Sequence, residues 1–143
     1  MTDNEKYMAE ALKEAEKAFK EEEIPIGAVC VLGEEIVGRG YNRVESLNDP
    51  TAHAEILAIT AAGNHIKDWR LDDVTIYVTV EPCLMCLGAI TLARIKRLVY
   101  GCKEPRFGFS NYPVEPDLDI SQGILADKAS GLLKEFFRLR RQE

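Results

Sequence analysis

The sequence predicts an α/β fold, a three-layer α/β/α sandwich with a mixed, roughly five-stranded central sheet. Two observations lead to this prediction. Stretches rich in β-branched residues alternate with helical stretches, and the first two strand patterns adjoin as a hairpin. The chain has 143 residues and neither a repeat nor a linker, so one domain over residues 1–143 is expected.

The first predicted element is an amphipathic helix over residues 7–19. Its apolar side chains recur at helical spacing, and Glu and Lys occupy the opposite face. Thr2 and Glu5 have the spacing of a capping box, which indicates where the helix starts.

A β-hairpin and a second helix are predicted next. Residues 24–32 and Glu35–Tyr41 have extended patterns, and the Gly-Glu pair between them can form a tight turn. Residues 46–50 are expected to be a loop. Residues 51–62 are rich in Ala, Ile and Leu and are followed by Gly-Asn, so they are expected to form a helix that closes at that pair.

The remaining sequence predicts two strands and two helices, with Pro82 at a position where a helix can begin. The elements are, in order, a strand at 74–80, a helix at 83–93, a strand at 97–102, a loop at 103–116 with three prolines, and a helix at 127–141 whose predicted buried stripe is Ala129, Leu132, Leu133, Phe136 and Phe137.

Charge and cysteine content restrict the setting and the partners. The formal net charge of −6 repels polyanions, so a nucleic-acid partner would have to use a local basic patch. The N-terminus has no export-signal pattern, and four cysteines without one favour a reduced, cytoplasmic protein. No apolar stretch approaches the roughly 18–20 residues that span a bilayer, so a membrane association is not expected.

Three potential metal ligands fall at two predicted helix starts. Cys83 and Cys86 are three residues apart, so one helix face can present both sulfurs to a single ion. His53 lies near the start of the preceding helix, and helix starts in α/β sheets commonly meet where such folds bind ligands. One His and two Cys would leave a zinc ion with an open coordination position, which is typical of catalytic sites.

Glu55 is the candidate proton shuttle, because it lies two residues beyond His53 and a carboxylate beside an apolar pocket can have a raised pKa. The alternative is a closed structural site in which Cys30, Cys102 or His65 supplies a fourth ligand. For these three residues the simpler interpretations are two buried thiols and a surface histidine.

These motifs resemble those of the cytidine deaminase superfamily and, within it, the bacterial tRNA-specific adenosine deaminases. His53-Ala54-Glu55 followed by Pro82-Cys83-Leu84-Met85-Cys86 matches the HxE and PCxxC signature of zinc deaminases. The resemblance covers nearly the whole chain except residues 103–122. It extends to residues 24–29, 49–55, 77–83, 123–126 and 136–141.

The resemblance implies a homodimer that holds one Zn²⁺ per subunit and converts adenosine at the wobble position of tRNA to inosine. It implies that zinc-bound hydroxide attacks C6 of adenine, while Glu55 protonates the ring nitrogen and then the departing ammonia. It also implies a substrate-binding set and a set of RNA contacts. These are Asn42, Pro25, Ile26, Ala54 and Val80 for the substrate, and Arg138, Arg140 and Arg141 for the RNA.

The sequence departs from the family pattern in one region. The stretch 103–122 is shorter than is typical and lacks the expected helical segment and Asn-His pair, and Glu104 stands where the family usually has aspartate. Two alternatives stay open, and the altered stretch and the net negative charge would suit the first of them. One is deamination of a free nucleobase or nucleoside of the guanine or cytosine type, and the other is a zinc-stabilised binding module without catalysis.

Overall fold

A computed structural model describes residues 1–142 of the chain. None of the helices in this range combines the length and the hydropathy that a membrane crossing requires. In chain order the elements are α1 (Asp3–Lys20), β1 (Gly27–Leu32), β2 (Glu35–Tyr41), α2 (Val44–Leu47), α3 (Ala54–Ile66), β3 (Val74–Val80), α4 (Leu84–Leu92), β4 (Arg97–Cys102), a short 3₁₀ helix (Phe109–Asn111), β5 (Asp119–Ser121) and α5 (Ala126–Arg140).

The five strands form one mixed sheet in the order β2-β1-β3-β4-β5. Strand β1 runs antiparallel to both β2 and β3, whereas β3, β4 and β5 are parallel. Parallel strands need crossover connections, and α4 supplies the one between β3 and β4. The predicted mixed five-stranded sheet is therefore confirmed.

Alternate residues of the central strands face two different apolar layers. Ile76 and Val78 pack in the cluster that contains Ala58 of α3 and Ile90 of α4. Tyr77, between them, packs in the cluster that contains α1. Helices therefore cover both faces of the sheet, and the predicted three-layer architecture is confirmed.

The start of α1 follows the predicted capping box. The Glu5 backbone N–H donates to Thr2 Oγ1 at 3.1 Å, and the Thr2 backbone N–H donates to Glu5 Oε1 at 2.9 Å. Two N–H groups that the helix itself leaves without acceptors are thereby satisfied. The strands predicted at 74–80 and 97–102 also have the predicted bounds.

The predicted bounds of the second helix were wrong at both ends. Residues 44–47 form the short helix α2, and α3 begins only at Ala54, because the Asp49 side chain accepts a hydrogen bond from the Thr51 backbone N–H and turns the chain first. The helix also continues past the predicted Gly-Asn stop. It ends at Ile66, which packs against the core, and Lys67 then adopts a left-handed backbone with φ of 65°.

Two features of the C-terminal region also differ from the prediction. Strand β5 was missed, because its three residues are too few to give a periodic pattern, and only the pairing with β4 defines it. In α5, Ala129 and Phe136 are buried as predicted, and Leu132 and Leu133 are partly buried. Phe137 is 42% exposed, so its place in the buried stripe was wrong.

Gly40 in β2 lets α3 pack directly against the strand. A Cβ at Gly40 would lie 2.4 Å from the carbonyl oxygen of Ala54 and 2.6 Å from the nitrogen of Ala58. Both atoms belong to the helix backbone, which cannot yield without moving the whole first turn of α3.

We therefore expect Gly40→Ala to lower the free energy of unfolding by about 1–3 kcal/mol, as overpacking does. Urea denaturation would measure the change. Gly131→Ala is the matched control, because an added Cβ there meets nothing within 4 Å. In that helix the alanine should instead stabilise by about 0.5–1 kcal/mol. Equal stability of the Gly40→Ala variant and the unmodified chain would contradict the packing argument.

Candidate active site

Two helix starts bring the potential metal ligands to one end of the sheet. His53 is the N-cap residue of α3 and Cys83 is the N-cap residue of α4, and both have extended backbones. Neither side chain makes a capping hydrogen bond with its own helix, so both remain available for another partner. Cys86 lies one turn into α4 and faces the same point.

The three ligand atoms have a spacing that suits a single ion. His53 Nδ1 lies 3.6 Å from Cys83 Sγ and 3.5 Å from Cys86 Sγ, and all three atoms lie within 4.8 Å of one another. Two ligands bonded to a tetrahedral zinc ion at about 2.0–2.3 Å are roughly 3.5 Å apart. The group could therefore hold zinc with little rearrangement.

Hydrogen bonds within the cluster shift the pKa of each of its three residues. Hydrogen bonds from the Cys86 thiol and from His53 lower the pKa of Cys83 to about 4, although burial opposes this change. The pKa of Cys86 is raised, because its proton is shared with Cys83 and because the thiol is buried. The pKa of His53 is also raised, mainly by its hydrogen bond with Cys83. Protons thus hold the three side chains together, and a divalent cation could replace them.

Glu55 is a buried carboxyl group in the first turn of α3. It is only 4% exposed, and burial raises its pKa to about 7. A group with a pKa near neutrality can both accept and donate a proton under ordinary conditions. Glu55 therefore has the properties of a proton shuttle beside the three-residue cluster.

No fourth protein ligand joins the cluster within residues 1–142. Cys30 is buried in β1, where burial raises its pKa to about 12, and Cys102 is buried at the end of β4. His65 lies on the surface, with Nε2 3.4 Å from Glu35 Oε1. These positions match the simple interpretations of the three residues, and none of the three belongs to the cluster.

The cluster borders a cavity of about 770 Å³. This volume falls in the range of about 300–1,000 Å³ that is typical of small-molecule sites. His53, Glu55 and Cys83 all line it. Of the substrate-binding residues predicted from the sequence, the cavity is lined by Asn42, Ile26, Ala54 and Val80. Pro25 is fully buried and does not line it.

Asn42 has an unused acceptor in this cavity. Its Nδ2 donates to the Ile24 carbonyl oxygen at 3.4 Å. Its Oδ1 is buried and has no hydrogen-bond partner among residues 1–142. A buried acceptor without a partner costs about 1–3 kcal/mol, so a donor group on a ligand would be favoured there.

The three arginines predicted to contact RNA have different surroundings. Arg140 lines the cavity, and its guanidinium donates to the Glu22 carbonyl oxygen at 3.3 Å. Arg138 forms two hydrogen bonds with the Glu135 carboxylate, which offsets its charge. Arg141 is exposed at the end of α5. Of the three, only Arg140 belongs to the wall of the cavity.

Much of the cavity wall comes from residues that the sequence did not indicate. Leu133, Phe136 and Phe137 of α5 form one side, and residues 103–107 form another. Glu23 also lines it, where hydrogen bonds from the Ser46 and Glu45 amides outweigh burial and lower its pKa. The apolar face of the predicted C-terminal helix was the only sequence signal for part of this wall. That face was interpreted as a stripe buried entirely in the core.

Comparison with known proteins gives this site a class. The family described as MafB19-like deaminase matches residues 2–141. The tRNA-specific adenosine deaminase of Streptococcus pyogenes serotype M18 is 44% identical over 144 residues, which cover 95% of this chain and 91% of that protein. The fold and the site together therefore define a deaminase with the cytidine deaminase-like fold.

Solved structures agree with this assignment. One from a study of A-to-I editing by tRNA:A34 deaminases is 40% identical, with a TM-score of 0.83, covering 90% of this chain and 99% of that one. The chain belongs to the family of the tRNA-specific adenosine deaminases. A guanine deaminase from Nitrosomonas europaea has a TM-score of 0.85 at 22% identity, covering 95% of this chain and 85% of that one, and this likeness shows the fold alone.

Proposed function

We propose that the protein is a zinc-dependent hydrolytic deaminase that converts adenosine to inosine at the wobble position of tRNA. The observation that carries the proposal is the buried Glu55 beside the cluster of His53, Cys83 and Cys86, at a cavity that Glu55, His53 and Cys83 line. The names of the relatives support the substrate, because proteins 44% and 40% identical to this chain are tRNA-specific adenosine deaminases.

The donor set fits one zinc ion per subunit. One imidazole nitrogen and two thiolate sulfurs are ligands that zinc prefers, and hard cations such as Mg²⁺ favour oxygen instead. When bound, zinc supplies Lewis acidity that brings the pKa of water close to neutrality. His53, Cys83 and Cys86 would hold the ion, and the cavity side of the cluster stays open to substrate.

Glu55 moves the protons of the reaction. Deamination adds water at C6 of the purine and releases ammonia, so a proton must reach the ring nitrogen and another must reach the leaving amine. The buried carboxyl group can take one proton from water and pass it to the ring nitrogen. It can then take the second proton from the hydroxyl group on C6 and pass it to the leaving amine, which departs as ammonia. Because Glu55 lies in the first turn of α3, the helix whose N-cap residue is His53, the backbone fixes its position relative to that potential ligand.

The base is recognised by one polar group and an apolar wall. The free Oδ1 of Asn42 is suited to accept a hydrogen bond from the substrate, and Ile26, Ala54 and Val80 contact the ring. Pro25 acts from behind this wall. It lies in a tight turn closed by the hydrogen bond from the Ile26 N–H to the Ile24 carbonyl oxygen, at 2.9 Å, and so keeps both isoleucines facing the cavity.

Glu55→Gln should keep the bound zinc and lose turnover by about 10²–10⁴-fold, because the amide keeps the shape of the side chain but cannot transfer the proton. Inosine formed from an anticodon stem-loop and zinc content per subunit would be measured together. Cys86→Ser should lose both turnover and the bound zinc. Glu35→Gln, an exposed glutamate near His65, is the control and should change neither quantity. Unchanged turnover in Glu55→Gln would contradict the proton-shuttle role. Bound zinc with no inosine formed by the unmodified protein would leave only a zinc-stabilised binding module.

Arg140 is the first candidate for a phosphate contact. Its side chain lies at the cavity, with the guanidinium carbon 5.1 Å from the centre of the Phe136 ring. Arg141 is exposed at the same helix end and extends the positive surface toward solvent, whereas the Glu135 carboxylate offsets the charge of Arg138. This local basic surface is needed because the formal net charge of the chain is −6.

Arg140→Glu should weaken binding of the stem-loop and lower the slope of log affinity against log salt by about 0.7–0.9, because one phosphate contact is lost. Arg70→Glu makes the same charge change outside the cavity and should leave the slope unchanged. Binding at several salt concentrations would measure both. Identical slopes for the two variants would contradict a phosphate contact by Arg140.

We place the enzyme in the cytoplasm with its tRNA substrates. All four cysteines are free thiols, which is typical of proteins in a reducing compartment. Cys83 and Cys86 are needed as thiolates for the metal, so an oxidising compartment would compete with the proposed chemistry.

The exposed face of α4 supports a homodimer. Leu84, Met85 and Leu92 are all exposed, and Leu92 is 69% exposed. They recur at helical spacing on the side of α4 that faces away from the core residues Cys86 and Ile90. An apolar face of this kind next to the metal ligands is suited to cover the same face of a second copy, as the resemblance implies.

Leu92→Asp should convert the dimer to a monomer, because it would bury two unpaired carboxylates at a two-fold interface. Sedimentation or size-exclusion with light scattering would measure the mass. Leu47→Asp changes an exposed leucine of α2 and should leave the dimer intact. If both variants have the same mass as the unmodified protein, α4 does not form the interface.

A further inference from the structure

Phe107 is an apolar side chain displayed at the mouth of the cavity. It lines the same cavity as His53 and Glu55, yet it is 58% exposed. The Arg106 guanidinium carbon lies 5.2 Å from the centre of its ring. An exposed aromatic ring beside a cation at the edge of a site is a surface that favours a flat, anionic ligand.

The Glu104 side chain fixes the turn that presents this ring. Its carboxylate accepts hydrogen bonds from the Arg106 and Phe107 backbone N–H groups. The Gly108 N–H closes the same turn by donating to the Glu104 carbonyl oxygen at 3.1 Å. The exposure of Phe107 therefore belongs to a closed, hydrogen-bonded turn, and the apolar ring is held outside the core.

A second carboxylate, that of Glu81, fastens this turn to the sheet. Glu81 follows β3 directly and is buried, and it accepts hydrogen bonds from the Glu104 N–H at 3.1 Å and the Ser110 N–H at 2.8 Å. Hydrogen bonds to a charged carboxylate are stronger than neutral ones, and breaking them would leave a buried charge without partners. The two ends of the turn are thus held by one side chain.

Close backbone contacts tie the same turn to the metal-ligand segment. A Cβ at Gly108 would lie 2.2 Å from Glu81 Oε1, so only glycine lets the carboxylate approach this closely. Gly108 also pairs with Cys83 in an isolated β-bridge, and the Phe109 N–H donates to the Pro82 carbonyl oxygen at 3.0 Å. The position of Phe107 is therefore set relative to the residues that would hold the ion.

We propose that Phe107 stacks against the nucleobase next to the reacting adenosine, and that Glu81 is the positioning residue that holds it there. The inference rests on the proposed function and names a substrate contact within it. A base flanking the reacting one must pass the mouth of the cavity, and any base offers a flat face to an aromatic ring. Arg106 adds a positive charge beside the same ring.

Stacking is tested by a double-mutant cycle that combines a change of Phe107 in the protein with removal of a flanking base from the RNA. Phe107→Ala should raise the KM for an intact anticodon stem-loop by about 5- to 100-fold with kcat within about twofold, the range expected for loss of one stacked base. Phe107→Trp should restore the KM. Stem-loops lacking the base on either the 5′ or the 3′ side of the adenosine complete the cycle. On one of them the unmodified enzyme should already show the loss, and Phe107→Ala should add nothing.

The test of positioning uses Glu81→Gln. Its amide removes one acceptor and places a donor against a backbone N–H, so the turn should loosen while the fold remains. We expect the KM to rise as in Phe107→Ala, with zinc content and kcat unchanged and no further rise in the double variant. Amide exchange of residues 103–110 should be at least about tenfold faster. Glu23→Gln alters a similar buried carboxylate that holds the Glu45 and Ser46 amides, and it should leave exchange at 103–110 unchanged.

The outcomes separate this inference from the proposed function. An unchanged KM in Phe107→Ala, or an equal loss on all three stem-loops, would overturn stacking. Loss of zinc or of kcat in Glu81→Gln with an unchanged KM would overturn positioning. Binding of the same three RNAs to zinc-loaded Glu55→Gln protein, followed by fluorescence anisotropy, gives the cycle without turnover. Coupling in binding with no inosine formed by the unmodified enzyme would overturn the proposed function alone.

Discussion

The close packing of α3 against β2 is the constraint on which the rest of the site depends. Gly38 and Gly40 let the helix backbone approach the strand, so that added Cβ atoms would lie 2.4 Å from the Ala58 and Ala54 carbonyl oxygens. That contact fixes where along β2 the helix α3 begins, and His53 and Glu55 lie at the start of this helix. Helix α4 on the same face supplies Cys83 and Cys86. The ligand spacing therefore follows from backbone packing and not from flexible side chains.

Local patterns in the sequence predicted the mixed sheet and the potential metal ligands that the structure brings together. Strands β3 and β4 were predicted with their observed bounds, because buried central strands are rich in β-branched and apolar residues. The convergence of His53 with the cysteine pair followed from two helix starts in an α/β fold. The family resemblance then supplied Asn42, Ile26, Ala54 and Val80, all of which line the cavity.

Long-range contacts account for what the sequence could not predict. Strand β5 exists only through its pairing with β4, and Phe137 was assigned to the core although it faces the cavity. The hydrogen bonds that shape the cavity wall join residues far apart in sequence, such as Glu81 with Ser110 and Glu23 with Ser46. The periodicity of apolar residues in a sequence cannot indicate such pairs, because each pair depends on how separate segments pack together.

The shortness of β5 has a consequence for how the chain can associate. An outer strand with unpaired N–H and C=O groups can recruit a strand from another molecule. Here that edge strand has only three residues, Asp119–Ser121, and it starts with an exposed aspartate. Too few backbone groups are left to continue the sheet into a neighbouring molecule. The fold thereby resists sheet extension between molecules through this edge.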